Sequence, residues 1–167
     1  MANLFQAQYK SVFSNPKNDY TFLNEVATPD KVINNIEFTE KDFIEEINSL
    51  SSNSAAGPDG IPAIFLKNCK CSLAKPLCMF WRTCLDSGTT PRVLKVNFIT
   101  PIFKSSDQGA PVNYRPVALT SHIIKVFEKV LRRRLAVFLE ENDLYNPSQH
   151  GFRPGRSCLS QLLAHAE

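Results

Sequence analysis

Two cations near the middle of the chain, Lys104 and Arg115, have the types and the spacing that could bind a polyanion. Lys104 follows an extended run rich in β-branched and aromatic residues, 96–103, and Arg115 lies early in a second run, 112–119. Glycine and proline within residues 105–111 favour a reversal between the runs. The pattern predicts a β-hairpin that brings an ammonium and a planar guanidinium to one place, where both could contact the same phosphates. The alternative is two ordinary solvated charges beside a loop.

Helices are predicted on both sides of this hairpin. Thr39 and Asp42 match a capping box, and Phe43 and Ile47 then fall on one helical face. This helix is predicted to end within residues 51–54, where serine and asparagine dominate.

Apolar spacing and stop signals predict four further helical stretches and a terminal helix. They cover residues 4–13, 64–70 and 72–86, a long helix from His122 to about Glu141 with Ser121 as its N-cap, and a last helix from about Ser157. Trp81 lies beside the apolar stripe of its helix, which favours a core anchor over a base-stacking residue. The sequence therefore predicts a mostly helical α+β fold with one hairpin.

Length and composition are those of an ordinary globular domain, with 167 residues, 43% hydrophobic and 21% charged. No apolar run is long enough for a membrane span, and the N-terminus lacks a signal-peptide pattern, so we expect an intracellular protein, nuclear or cytoplasmic, that is not secreted and has no membrane partner. The five cysteines are expected to be reduced thiols. Cys69 and Cys71 lack the spacing of a zinc site, so no metal is predicted.

The positive charge of the chain is concentrated in its second half. Residues 91–156 contain eleven Lys or Arg and five Asp or Glu, whereas residues 1–90 contain eight and ten. This asymmetry favours a polyanionic partner. The cations that fall along one flank of the long predicted helix form a candidate track for phosphates: Lys125, Lys129, Arg132 and Arg133. The alternative for this flank is a solvated helix face.

Two loops carry glycine and proline in motif-like patterns. Residues 57–60 read Gly-Pro-Asp-Gly, which predicts a tight turn and as a turn needs no further function. Residues 149–158 contain two glycines and a proline and lead into the last predicted helix.

Three stretches of the chain together resemble the fingers region of reverse transcriptases of non-LTR retrotransposons, the LINE-type elements. They read SAAGPDGIPAIFLKNC from residue 54, ITPIFKSSDQGAPVNYRPVALTSHIIKVFEKVLRRRL from residue 99 and PSQHGFRPGRSC from residue 147. Group II intron maturases and telomerase share parts of this pattern. The resemblance implies that Lys104 and Arg115 hold the triphosphate of the incoming nucleotide. It also implies nucleic-acid contacts at two groups of residues: Gly57, Asp59 and Gly60 in the first stretch, and Gln149, Gly151 and Arg153 in the third.

The resemblance also implies a domain organisation and a set of partners. Residues 1–38 would be a leader or linker, and residues 39–167 would be truncated reverse-transcriptase fingers with the start of the palm, without the palm sheet. The expected partners are an RNA template, an RNA–DNA hybrid and a dNTP. The palm and thumb of the full-length polymerase, or a second copy of the chain, would cover apolar surface that this fragment leaves exposed.

The catalytic carboxylates of such a polymerase come from its palm, and none of the seven aspartates of this chain is adjacent to another. We therefore expect no catalytic residue and no metal bound by this chain, with Mg²⁺ required only by the full-length polymerase. The expectation is a polymerase fragment that is inactive alone. The alternatives are a non-catalytic nucleic-acid-binding module derived from such an element, and a globular domain with no remaining activity.

Overall fold

The computed structural model describes residues 2–13 and 31–166, and residues 14–30 of the predicted leader lie outside this part of the chain. Its helices are α1 (Ala2–Val12), α2 (Glu40–Asn48), α3 (Ala63–Asp86), α4 (His122–Glu141) and α5 (Cys158–Ala166). Its strands are β1 (Phe98–Phe103) and β2 (Tyr114–Leu119), and short 3₁₀ turns lie at Arg92–Lys95 and Pro111–Asn113. The prediction of a mostly helical α+β fold with one hairpin is confirmed.

Helix α2 begins where the capping pattern predicted. The Asp42 carboxylate accepts the Thr39 backbone N–H at 2.7 Å and the Thr39 hydroxyl at 2.9 Å, which satisfies one of the donors that a helix start leaves free. Phe43 and Ile47 are fully buried on the predicted face. The helix ends at Asn48, slightly earlier than predicted. The Ser49 N–H still donates to the Glu45 carbonyl four residues back, at 3.1 Å, but the next N–H, of Leu50, donates to Ile47 three residues back in a tighter turn.

The prediction of two helices at residues 64–70 and 72–86 is wrong. A single helix of 24 residues runs from Ala63 to Asp86. Pro76 lies inside this helix and removes only one backbone N–H, and Leu66, Leu77 and Trp81 bury a continuous face along its length. Burial of that face stabilises the helix across residues 70–72, where the two predicted helices were separated.

The core in which helices α2, α3 and α4 pack together is aromatic. Trp81, 1% exposed, stacks on Phe127 of α4 with ring centroids 4.0 Å apart and an interplanar angle of 5°. Phe38 packs edge-on against Phe43 and Phe127 with centroids 5.6 and 5.9 Å apart. The interpretation of Trp81 as a core anchor is confirmed, because its ring is enclosed by these contacts.

The long helix α4 has the predicted bounds, and the Ser121 hydroxyl accepts the Ile123 N–H at 3.1 Å, as an N-cap does. The apolar spacing of Phe127, Val130 or Leu131, and Leu135 predicts one buried face along this helix. Val126, Phe127 and Val130 are buried, whereas Leu135 is 40% exposed, so the buried face is shorter than predicted.

The chain divides into two compact units. Unit 1 comprises helix α1 and Phe38–Val130, and unit 2 comprises Lys31–Glu37 and residues 131–166. The predicted boundary after residue 38 stays a prediction. Among the described residues, none of the helices combines the length and the apolar character needed to cross a bilayer.

Candidate nucleotide and nucleic-acid site

Strand pairing in the hairpin decides which side chains share a face. The strands are antiparallel, with Ile102 opposite Arg115 and Phe103 opposite Tyr114, and the ladder extends one step further because the Lys104 N–H donates to the Asn113 carbonyl at 2.9 Å. Side chains alternate between faces along a strand, so Lys104 shares a face with Ile102. Because Ile102 is directly opposite Arg115, the register places Lys104 and Arg115 on the same face, as diagonal neighbours with Cα atoms about 7–8 Å apart.

Both cations of this pair are available to an external anion. Lys104 and Arg115 are exposed, and in the described part of the chain neither side chain has a carboxylate partner. Lysine and arginine stems are long enough to bring their charged groups together over one anion from this separation. The hairpin geometry predicted from the sequence is therefore present, and binding of a triphosphate by the two residues stays a prediction.

The loop that closes the hairpin is held by its own side chains. The Asp107 carboxylate accepts the Gly109 N–H at 2.9 Å, the Asn113 amide donates to the Asp107 carbonyl at 2.8 Å, and the Tyr114 hydroxyl donates to the Gln108 carbonyl at 3.0 Å. These bonds tie residues 107–109 to the start of β2. They reduce the freedom of the backbone that carries Lys104 and Arg115.

The opposite face of the hairpin is backed by helix α1, a role that sequence reasoning missed. The Phe5 ring packs edge-on against Tyr114 with centroids 4.9 Å apart, and Tyr114 packs in turn against Phe103 at 5.4 Å. An apolar groove of about 560 Å³ between Phe5 and Tyr9 of α1 and Ile99 of β1 runs along this contact. The predicted helix at residues 4–13 is confirmed, but only the tertiary structure shows that it supports the hairpin from behind.

The Gly-Pro-Asp-Gly motif forms the predicted turn. The Gly60 N–H donates to the Gly57 carbonyl at 3.0 Å, Gly60 has φ +67°, and the Asp59 carboxylate accepts the Ile61 N–H at 3.2 Å. Gly57 is buried, and a Cβ atom there would lie 2.6 Å from the Ser121 backbone nitrogen. The close approach that glycine permits at this position is therefore made to the start of α4, and the predicted nucleic-acid contacts of this turn stay predictions.

His122, at the start of α4, lies against the segment that leads into this turn. It is 1% exposed, its Nε2 is 3.3 Å from the Ser54 hydroxyl, and its Nδ1 has no hydrogen-bond partner among the described residues. Burial lowers the pKa of His122 below its ordinary value, and the nearby Lys125 ammonium lowers it further, while the Ser54 backbone and the Asp59 carboxylate partly oppose this shift. A neutral imidazole in this position fits a structural role.

The cations predicted to line α4 are divided between the two units. In unit 1, Lys125 and Lys129 are half-buried, and the Lys129 ammonium donates to the Ser49 hydroxyl at 2.8 Å. In unit 2, Arg132 is exposed, whereas Arg133 is half-buried and interacts with other protein groups. The predicted phosphate track along this helix stays a prediction.

The loop at residues 149–158 is organised by Arg153. Its guanidinium bonds both oxygens of Glu140, at 3.0 and 2.7 Å, and lies over the Tyr145 ring at 4.8 Å from the centroid. The hydrogen bonds from Arg153 hold the pKa of the Glu140 carboxyl below its ordinary value. Arg153 therefore joins the loop to α4, and Gln149 and Gly151 are exposed at the loop surface. Nucleic-acid contacts by these three residues stay predictions.

The same loop contains a second, buried polar contact. His150 is 5% exposed, with Nδ1 2.7 Å from the Ser160 hydroxyl and Nε2 3.3 Å from the Arg156 guanidinium. These contacts fix the loop to the first turn of α5, and they give His150 a structural role. Within residues 2–13 and 31–166, the structure brings no group of three or more potential metal ligands together.

Comparison with known proteins gives two curated relatives, and no family model matches the chain. The chain is 27% identical over 123 residues to the "Probable RNA-directed DNA polymerase from transposon BS" of Drosophila melanogaster, a match that covers 73% of this chain and 14% of that polymerase. It is 28% identical over 126 residues to the "Probable RNA-directed DNA polymerase from transposon X-element" of the same species, covering 75% of this chain and 14% of the relative. The chain thus spans a small part of the length of these relatives. The two matches confirm the resemblance found in the sequence, because the chain is similar to RNA-directed DNA polymerases of two transposons.

Proposed function

We propose that this chain is a fragment of an RNA-directed DNA polymerase of a non-LTR retrotransposon, corresponding to the fingers and the approach to the palm. In this proposal the hairpin face with Lys104 and Arg115 holds the triphosphate of the incoming deoxynucleotide. The observation that carries the proposal is the strand register, which places both cations on one face without carboxylate partners in the described part of the chain. Sequence similarity to two transposon polymerases supports the assignment.

The two cations suit different parts of a triphosphate. A guanidinium presents a planar set of donors that can bond two phosphate oxygens at once, whereas an ammonium acts as a compact charge. Charge-assisted hydrogen bonds of this kind contribute about 1.5–3 kcal/mol each. Support by α1 on the opposite face, through Phe5 and Tyr114, limits the movement of the hairpin and reduces the entropy lost when the anion binds.

Template RNA, or an RNA–DNA hybrid, is the second partner in this proposal. Contacts would come from the turn at residues 57–60, from the loop at residues 149–153 and from the cations predicted along α4: Lys125, Lys129, Arg132 and Arg133. Such binding would be tolerant of sequence and sensitive to salt, because it would depend on phosphate contacts rather than on base edges.

Nucleotide transfer needs two divalent ions held by closely placed carboxylates. The 167 residues contain no adjacent aspartate pair, so in this proposal the chain binds but does not catalyse, and Mg²⁺ belongs to the full-length polymerase. Purified chain with RNA template, DNA primer, Mg²⁺ and dNTPs is expected to incorporate nothing above background. Robust primer extension would overturn this part of the proposal.

The nucleotide site is tested by fluorescence anisotropy with a labelled dNTP and the corresponding monophosphate. Lys104→Ala and Arg115→Ala are each expected to weaken triphosphate binding about 10- to 100-fold, from the loss of one charge-assisted contact. Binding of the monophosphate should change less, because fewer phosphate oxygens are held. Lys75→Ala and Arg92→Ala are matched controls, since both residues are exposed cations outside the hairpin and their loss removes the same charge.

Three results are distinguishable. Equal affinity of the wild-type chain for triphosphate and monophosphate would refute the triphosphate site. Equal losses in the hairpin variants and in their controls would show a general effect of net charge. Salt-sensitive RNA binding without any triphosphate preference would favour the alternative function, a non-catalytic nucleic-acid-binding module.

A further inference from the structure

Three lysines from two different helices meet at the C-terminal end of helix α2. Lys67 of α3 donates to the Leu50 carbonyl at 2.9 Å. Lys70 of α3 donates to the Asn48 side-chain oxygen at 2.7 Å, and Lys129 of α4 donates to the Ser49 hydroxyl at 2.8 Å. The three acceptor residues are consecutive in the chain. We define Lys67, Lys70 and Lys129 as the lysine cluster.

The lysine cluster is compact. Consecutive Cα atoms are about 3.8 Å apart, so acceptors on three successive residues keep the three ammonium groups within a region on the order of 10 Å across. A nucleic-acid strand carries one negative charge per nucleotide. A region of this size is wide enough to contact more than one phosphate of such a strand.

The charge of the lysine cluster is only partly compensated. All three lysines bond neutral oxygens, and none has a carboxylate partner among the described residues. The negative end of the α2 dipole accounts for about half of one charge. The Glu46 carboxylate also lies at this end of α2, 3.3 Å from the Ser49 hydroxyl. One carboxylate and the helix dipole together offset less than the charge of three ammonium groups.

The surroundings supply further donors. Exposed Ser51, Ser52 and Asn53 directly follow the three acceptor residues in the chain, and hydroxyl and amide groups commonly bond phosphate oxygens. The same segment continues into the turn at residues 57–60. Donors spread over the lysine cluster and residues 51–53 suit the phosphate backbone of a flexible nucleic-acid strand better than a single small anion.

We infer that the lysine cluster is an additional binding surface for the phosphate backbone of single-stranded RNA, with Lys67 and Lys70 as contact residues. This inference rests on the proposed function, because it extends the template surface from the turn at residues 57–60 onto α2 and α3. Capping of α2 alone would need only the bond from Lys67 to the Leu50 carbonyl, whereas Lys70 bonds an exposed side chain and adds nothing to the backbone of α2.

The test measures the affinity of the full chain for a fluorescein-labelled oligouridine RNA as a function of salt. Replacing both Lys67 and Lys70 by Gln should reduce the slope of log affinity against log salt by about 1.4, for two phosphate contacts on a single strand. The affinity change between about 50 and 200 mM salt should then shrink by about sevenfold. Lys67→Arg with Lys70→Arg keeps both charges and should keep the wild-type slope.

The matched control replaces Lys41 of α2 and Lys75 of α3 by Gln, which removes the same total charge from exposed sites. Its slope should equal that of the wild-type chain. An unchanged slope in the Lys67 and Lys70 variant, or equal reductions in both double variants, would overturn the inference while leaving RNA binding itself intact. Absence of RNA binding by the wild-type chain would overturn the inference and the template part of the proposed function together.

A second measurement needs no substitution and is independent of folding defects in the variants. Acetylation of the wild-type chain by a lysine-specific reagent, read by mass spectrometry, should be reduced by the oligouridine at Lys67 and Lys70 but not at Lys75. Equal acetylation of Lys67 and Lys70 with and without RNA would refute the inference. Protection by phosphatidylserine vesicles and not by RNA would also refute it, and would identify a membrane surface instead.

Discussion

Replacing Gly57 by Ala is expected to destabilise unit 1 because the added methyl group has no space. An alanine Cβ would lie 2.6 Å from the Ser121 nitrogen and 2.7 Å from the carbonyl carbon and oxygen of Thr120. Carbon atoms in contact prefer separations of about 3.5–4.0 Å, so the overlap is about 1 Å and involves backbone that cannot rotate away. Overpacking of this kind costs about 1–3 kcal/mol. In a chain of this size the melting temperature should fall by about 2–12 °C.

Urea unfolding followed by the fluorescence of Trp81 measures this effect in the relevant unit. Trp81 is the single tryptophan of the sequence, and it is buried in the core of unit 1. Gly109→Ala is the matched control, because the nearest atom to its Cβ would be a flexible Asp107 side-chain oxygen at 3.4 Å. Gly60→Ala separates backbone strain from the clash, since Gly60 has φ +67° and open space around it, and should cost about 1–2 kcal/mol.

A free energy of unfolding for the Gly57→Ala chain within about 0.5 kcal/mol of wild type would refute the close approach to Thr120 and Ser121. The result also bears on function. Because Gly57 is required for packing, loss of RNA binding in this variant would not establish a contact with nucleic acid. The neighbouring residues Asp59 and Gly60 are better positions at which to test that contact.

Two further predictions concern ionisable groups. Burial, followed by the Lys125 charge, lowers the pKa of His122 in the folded chain below its ordinary value of 6.5. As the pH falls below 6.5, the unfolded chain therefore protonates at His122 before the folded chain does. The free energy of unfolding should decrease until the pH is below the pKa of His122 in the folded chain. Urea midpoints from about pH 8 to about pH 5 measure this, and the same acid sensitivity in His122→Gln would contradict it. Glu140→Gln should free Arg153 from its ion pair and increase RNA affinity if Arg153 contacts phosphate. An unchanged affinity, measured by anisotropy beside Glu141→Gln as the control, would leave Arg153 a purely structural residue.

Local sequence determined the elements of this protein and much of their extent. The hairpin, the N-terminal helix, the capped start of α2 and both ends of α4 follow from patterns within a few residues, such as the Ser121 cap and the carboxylate of Asp42. These features depend on backbone preferences and on hydrogen bonds between near neighbours, which the order of residues encodes directly. Motif resemblance also identified the polymerase relatives that the comparisons confirmed.

Tertiary structure decided which residues meet. Local patterns predicted two helices, at residues 64–70 and 72–86, but burial of Leu66, Leu77 and Trp81 keeps α3 continuous. Arg153 pairs with Glu140 thirteen positions away, and Lys70 reaches Asn48 across twenty-two. Contacts of this kind depend on how helices pack and on the register of two strands. Such packing is set by burial summed over the whole unit, and no short stretch of sequence specifies it.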